Sequence, residues 1–373
     1  MRGRDVFVIA DNVFTPLANT TAENFAQLKQ NISALKQYQN PSGTYFASLF
    51  ESSLFPNSSS GYTKFEQLLI ASVQDALNSS GLSASDERTI LIISSTKGNI
   101  GLLETEAFSP ALQERIGLSH SAKLLADHFG FKNQPVVVSN ACVSGVVAIM
   151  TGMRLLRTGQ YEHAVIVGAD LISEFILSGF QSFQALSPQP CRPFDKSRDG
   201  LNLGEGAATM ILSSDKKNEG DAKVLGGGIS NDANHISGPS RTGQELANAI
   251  EAALKDAAIA SGEVDFISAH GTATPYNDEM EANAIGLAGL QKVPLNSLKG
   301  YYGHTLGAAG LIESVISIRS LEEGHFIATP GFEEIGVTRA VNVIGSERQI
   351  PAKTLLKTAS GFGGCNAAVV FGK

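Results

Sequence analysis

A short strand, a polar turn and a long apolar helix are written twice into this chain, and the repetition limits its architecture more than any other feature. The first copy is Pro135 to Gly159, PVVVSNACVSGVVAIMTGMRLLRTG. Val136, Val137 and Val138 form a β-branched run suited to a core strand, and Val143 to Leu156 is apolar on nearly every face, which predicts a central buried helix. The second copy, VPLNSLKGYYGHTLGAAGLIESVISIRSL, puts His304 where the first has Cys142. The flanks repeat as well. AKVLGGGIS echoes the opening strand, Arg4 to Ala10; ELANAIEAALKDAAI echoes a helix predicted over Phe65 to Leu82; the closing AAVVFGK echoes AATMILSS. Two similar halves are expected, roughly 1–215 and 216–373, built of alternating strands and helices with helices buried between sheets. No linker divides them, so one compact body is expected.

Further elements follow the same reading. Thr21 to Leu35 is predicted to be helical with Thr20 or Thr21 as its cap, and Thr89 to Ile93, His163 to Asp170 and about Ala207 to Leu212 are predicted strands. Ser121 to Phe129 reads as helix. Between Gln37 and Gly61, NPSGTYF and PNSSSGY read as loop. The turn TKGNIG, Thr96 to Gly101, lacks the spacing of a phosphate-binding loop.

At 373 residues the chain can hold two domains or one large duplicated one. A net charge of -8 argues against a nucleic-acid surface. Its three cysteines, Cys142, Cys191 and Cys365, are odd in number and far apart, which suggests neither a disulfide framework nor a zinc site and fits a reducing compartment. No run approaches the ~18 apolar residues of a membrane span. The apolar run near the N-terminus is too short for a signal peptide, so a cytoplasmic protein without membrane contact is expected.

Reactive groups sit in three turns: Cys142, His270 in HGTAT and His304 in GHTLGAAG. The start of a buried helix favours a thiolate through its unpaired N–H groups and dipole, so Cys142 reads as a nucleophile; the competing reading is a structural buried thiol. His270 and His304 lie among glycines and threonines that let a substrate approach closely, whereas His120, His128, His163 and His325 read as ordinary histidines. Lys299 and Glu313, five residues before and nine after His304, can orient the His304 imidazole; the competing reading is a plain solvated pair. A thiol with two imidazoles permits acyl transfer through a thioester, and the residues alone leave hydrolysis and condensation both open.

NACVSG, CRPFDKSRDGLNLGEGAA, HGTATPYNDEMEANAI, KGYYGHTLGAAGLIE and SGFGGCNAAVVF, in this order, closely resemble the β-ketoacyl-acyl carrier protein synthases of the KAS I/II type in the thiolase superfamily. The resemblance implies an α/β fold, the thiolase-like duplicated α/β/α/β/α layered sandwich, in a dimer. It implies that Cys142 accepts the acyl group, with the N–H groups of Cys142 and Phe362 as oxyanion hole, and that His270 and His304 bind the malonyl thioester oxygen during a decarboxylative Claisen condensation. Lys299 with Glu313 would hold His304, Thr272 and Thr274 would bind the pantetheine arm, and Phe362 would be a gate hinged on Gly361 and Gly363. The implied partner is an acyl carrier protein whose phosphopantetheine carries the substrates; no cofactor or metal is implied. The dimer would be with itself or with a chain-length-factor-like subunit.

Departures from the family pattern refine this. Ser360 replaces an aromatic residue before GFGG, Ala273 replaces Gly or Ser in HGTAT, and Cys365 replaces Thr or His. A shorter first third suggests polyketide or polyene-type biosynthesis over primary fatty-acid elongation. The neutral PNSSSG stands where relatives carry a basic cluster for the acidic carrier, leaving Lys64 nearby and Arg192, Lys196 and Arg198 as substitutes. The alternative reading is a non-elongating, chain-length-factor-like subunit; such subunits usually lack the cysteine. Thiolase-type exchange with coenzyme A is disfavoured, because thiolases use a second cysteine where this chain has His270 and His304.

Overall fold

The computed structural model describes residues 4–40, 43–55, 61–233 and 236–373. Its first half contains β1 (Phe7–Phe14), α1 (Thr21–Lys29), α2 (Lys64–Ser80), β2 (Thr89–Ser94), α3 (Leu118–Phe129), β3 (Val136–Val138), α4 (Ser144–Arg157), β4 (His163–Asp170), α5 (Glu174–Ser182) and β5 (Gly206–Ser213). In the second are β6 (Lys223–Asn231), α6 (Gln244–Ala257), β7 (Phe266–Ser268), α7 (Pro275–Leu287), β8 (Pro294–Asn296), α8 (Ala309–Glu323), β9 (Asn342–Val343), β10 (Thr354–Gly361) and β11 (Cys365–Gly372).

These strands join in one 11-stranded sheet of order β9-β8-β7-β10-β11-β6-β1-β5-β4-β2-β3. From the junction outward the same plan runs both ways. β1-β5-β4-β2-β3 and β6-β11-β10-β7-β8 each make two antiparallel pairings followed by two parallel ones. The halves meet where Phe7 of β1 pairs with Lys223 of β6.

Strand alternation makes the layers. Ile90 and Ile92 of β2 join a core with α4 and α8, while Leu91 and Ile93 face the opposite way, toward α2 and α3. In the second half Leu355 of β10 and Val369 and Phe371 of β11 share the α4–α8 core, and Leu356, Ala368 and Val370 face α6 and α7. Both faces of each half-sheet are therefore covered, which is why its strands are almost uniformly apolar. The result is helices, sheet, helices, sheet, helices, as the thiolase-like fold requires.

Side chains are excluded where α4 and α8 cross. A Cβ on Gly145 would lie 2.6 Å from the backbone nitrogen of Leu311, and one on Gly310 would lie 2.7 Å from a methyl of Val146. Overpacking at such a contact costs about 1–3 kcal/mol, so Gly145→Ala is expected to lower the free energy of denaturant unfolding by that amount.

Two expectations change. Residues 37–61 are not all loop: Lys36–Asn40 and Gly43–Ser48 form an antiparallel hairpin, with Tyr38 stacked on Tyr45 at 5.8 Å. Its partly exposed position, with only Ala47 and Ser48 paired further to Leu203 and Gly204, accounts for a sequence too polar to read as core strand. Helix α1 ends at Lys29 rather than continuing to Leu35. No helix among the described residues is long and apolar enough to cross a membrane.

Candidate active site

The parallel strands point their C-terminal ends at one region. Cys142 follows β3, His270 follows β7, His304 lies between β8 and α8, and Phe362 follows β10. Cys142, His270, His304, Thr272, Thr274 and Phe362 all line one cavity of about 490 Å³. Its size suits a ligand held by a few convergent polar groups.

The turn carrying Cys142 is tight. Ala141 adopts a left-handed backbone (φ 45°), and Asn140 and Ser144 close it, with Asn140 N–H donating to Ser144 Oγ (2.7 Å) and that hydroxyl donating to the Ala141 carbonyl (2.6 Å). Leu306 repeats this left-handed residue (φ 52°), and the helix-crossing glycine follows four positions later in both copies, Gly145 and Gly310. By that register the counterpart of Cys142 is Gly307; His304 stands three residues earlier, contrary to the sequence reading.

Helix α4 begins at Ser144, two residues past the cysteine. The expected shift toward thiolate does not win: burial pushes the Cys142 thiol up to about 11, against the pull of Lys299, the Phe362 N–H and Lys97. Desolvation outweighs a partial helix charge when the residue is only 7% exposed. A Cβ on Gly361 would stand 2.9 Å from the Cys142 nitrogen. The backbone before Phe362 thus lies directly against the nucleophile's own amide.

The imidazoles of His270 and His304 pack edge to face with centroids 5.3 Å apart. Glu281 of α7 holds the His270 turn by accepting from the N–H groups of His270 (2.8 Å) and Gly271 (2.7 Å) and from Thr358 Oγ1 (2.6 Å). His304 is held through its backbone: its N–H donates to the Asn202 carbonyl (2.7 Å), and Gly204 N–H donates back to its carbonyl (3.1 Å). Asn202 is itself fixed by accepting the Cys191 N–H at 2.7 Å, so the segment CRPFDKSRDGLNLGEG acts as a brace for His304.

Lys299 and Glu313 are paired at 2.6 Å and buried, as expected of an orienting pair. Their imidazole is the other one. Lys299 Nζ is 3.4 Å from His270 Nδ1, whereas His304 Nδ1 has no hydrogen-bond partner among the described residues. The chain approaches His270 from the Lys299 turn, which spacing along the sequence does not reveal. Burial, followed by the nearby Lys299, holds both histidines well below the usual imidazole range, so both are neutral at pH 7. Sequence reading missed Lys357, whose Nζ is 2.6 Å from Glu313 Oε2.

Thr272 and Thr274 share a hydrogen bond between hydroxyls of 2.8 Å, with Ala273 between them in a left-handed conformation (φ 63°). Phe362 stacks on Phe180 (5.5 Å) and meets Phe183 edge to face (5.4 Å). Gly363 N–H donates to the Ile236 carbonyl at 2.7 Å. Ser360 turns inward to donate to Asn366 Oδ1 (2.8 Å), filling the place of an aromatic ring with a polar contact. Cys365 donates to Asn140 Oδ1 (2.8 Å).

The substitute basic residues divide between interior and surface: Arg198 is turned inward, while Lys196 and Arg192 stay exposed. Arg198 is 8% exposed and donates to the Gly336 carbonyl, Lys196 pairs with Glu334 (3.0 Å) and Arg192 with Glu333 (3.7 Å). Lys64 reaches inward to the buried Glu205 (2.8 Å), and of PNSSSG residues 56–60 lie outside the described residues. His128 bonds Tyr62 and His325 bonds Glu347, as ordinary histidines do.

Family models described as "Beta-ketoacyl synthase, N-terminal domain" and "Beta-ketoacyl synthase, C-terminal domain" match residues 3–218 and 221–333. The chain belongs to the β-ketoacyl synthase family. Among its β-ketoacyl synthase relatives, the 3-oxoacyl-[acyl-carrier-protein] synthase 2 of Vibrio harveyi is 30% identical over 412 residues, with 100% of this chain and 99% of the relative covered. That of Vibrio cholerae is 30% identical over 413 residues with the same coverage. Both alignments exceed the 373 residues of this chain, so the relatives hold residues that it lacks. Among solved structures, the ishigamide ketosynthase/chain length factor superposes with a TM-score of 0.89 at 26% identity, covering 100% of this chain and 99% of that one. AntDE:AntF, a type II polyketide synthase acyl-carrier protein in complex with its ketosynthase bound to the hexaketide, gives 0.87 at 25%, with 99% of each chain covered.

Proposed function

We propose that this member of the β-ketoacyl synthase family, an acyltransferase-type condensing enzyme, uses Cys142, His270 and His304 in two half-reactions, in polyketide or polyene-type biosynthesis. The observation that carries this is the opening of those three side chains into one cavity. In the first half-reaction Cys142 sulfur attacks the acyl thioester; the carrier's sulfur leaves and takes up the thiol proton. In the second, the C–C bond to the malonyl carboxylate breaks, its electrons form an enolate, and CO2 leaves. The enolate carbon then attacks acyl-Cys142, and the released thiolate takes up one proton. Neutral imidazole N–H donors suit a thioester oxygen whose negative charge appears only in the transition state. The Cys142 and Phe362 N–H groups serve the acyl oxygen, and Thr272 and Thr274 serve the pantetheine arm. Lys299 with Glu313 orients His270.

The partners follow from the relatives: a phosphopantetheine-bearing acyl carrier protein, and a dimer with a second copy or with a chain-length-factor-like subunit. Three unpaired thiols suit the cytoplasm. Polyketide or polyene-type assembly is supported by the two structural neighbours named above and by the residues this chain lacks relative to the Vibrio enzymes. Purified protein given acyl and malonyl carrier substrates should release CO2 and a β-ketoacyl thioester; no product, where a Vibrio relative gives one, would refute the reading.

Phe362 closes the cavity against Phe180 and Phe183, with Gly361 and Gly363 as its hinges. Phe362→Ala removes two ring contacts at the wall of the cavity. The acyl-enzyme of that variant should hydrolyse faster, by about 3- to 10-fold, in a timed loss of acyl label from the protein.

A further inference from the structure

Lys357 is a fully buried lysine in the middle of β10, and nothing in the reaction above uses it. Its ammonium makes three contacts: Glu313 Oε2 at 2.6 Å and the carbonyls of Ser268 and Ala269 at 3.2 Å each. Ser268 and Ala269 are the two residues immediately before His270. Glu313 is thereby shared between two ammonium groups, since Lys299 holds its other oxygen at 2.6 Å and itself reaches His270 Nδ1.

The charges around the imidazoles close into a balance. Lys299 comes from the turn after β8, Lys357 from β10, Glu313 from α8 and Glu281 from α7: two cations and two anions, all buried. His304 and the thiol of Cys142 face the same cavity, and on the His304 side Lys97 is itself balanced by the buried Asp170 at 3.0 Å. Replacing Lys357 with an apolar residue leaves one excess negative charge among the four and draws a proton onto a histidine. In agreement, Lys357 is among the groups that push both imidazoles toward the neutral form.

We propose that Lys357 is a positioning residue of the condensation site, anchoring the strand end that carries His270 and balancing Glu281 and Glu313 so that both imidazoles face the malonyl thioester uncharged. This rests on the condensation reading above. The two halves of the reaction separate the roles, because only decarboxylation uses the imidazoles while acyl transfer uses Cys142 and the backbone N–H pair.

Lys357→Met in the full-length protein tests it, with CO2 release from a malonyl thioester and acyl labelling of Cys142 each followed from pH 5 to 9. Decarboxylation should fall at least tenfold at pH 7 and show a protonation step at higher pH than any in the wild type. Acyl labelling should stay within threefold, and Lys357→Arg should recover most of the decarboxylation. Equal losses in both halves, an unchanged pH profile or no recovery with arginine would overturn the proposal. Should the methionine variant not fold, Lys357→Gln, which keeps a donor and drops the charge, takes the same test with the same outcomes. A wild-type protein that releases no CO2 would instead refute the condensation reading itself.

Discussion

Cys142→Ala should abolish condensation, by at least about 10³-fold, while CO2 release from a malonyl thioester persists. The magnitude follows from removing the nucleophile that forms the covalent intermediate, which leaves only binding and the donor groups. Alanine keeps the tight turn at Ala141 and Ser144 and removes only the sulfur of a residue that is 7% exposed, so the fold tolerates it. Persistence of CO2 release is the discriminating part: His270 and His304 are placed by Glu281, Lys299 and the Asn202 brace, and none of those contacts passes through the sulfur. Loss of both activities together would mean that decarboxylation needs the thiol and that the two half-reactions are not separable as described.

Replacement of either imidazole should give the opposite pattern. His270→Ala and His304→Ala are each expected to lower decarboxylation by about 10²–10³-fold, the scale for losing one donor to a developing oxyanion, with acyl labelling of Cys142 changed far less. The pH dependence has a definite sign. Both folded values lie below the ordinary 6.5, so the groups are neutral throughout the range above it and impose no ionisation on decarboxylation between about pH 6.5 and 9. In the unfolded chain the same histidines take up protons near pH 6.5, so their contribution to stability is complete above that value and is lost as the pH falls toward the folded values. Each alanine variant should show a shallower acid-side loss of stability than the wild type in unfolding measured from pH 7 to 5.

Much of this was legible because the fold states itself twice. The valine run before Cys142 and the glycine-rich second copy around His304 marked both central helices, and the strand ends delivered Cys142, His270 and His304 to one cavity as expected. The register between the copies was not legible, because the two reactive side chains do not occupy equivalent positions. The backbone matches Ala141 with Leu306 and Gly145 with Gly310, because steric demand at the helix crossing, not chemistry, sets that register.

Charges were the least legible element. Arg198 and Lys64 suggested a docking surface but spend their charge on a backbone carbonyl and a buried carboxylate. Lys357, in TLLKTASG, carries no signal in the sequence, because its partner Glu313 comes from a distant helix. Which imidazole Lys299 serves depends on a long-range approach that no local spacing encodes. Helix position suggested an acidified thiol, but the depth of the turn decided the matter the other way.

Peptide mapping after incubation with an acyl-carrier thioester shows whether Cys142 carries the acyl group through the reaction. The account predicts one acyl adduct, on Cys142, discharged as β-ketoacyl product when malonyl thioester is added, with Cys191 and Cys365 unmodified. An unlabelled Cys142, or an acyl group that malonyl thioester does not remove, would contradict it.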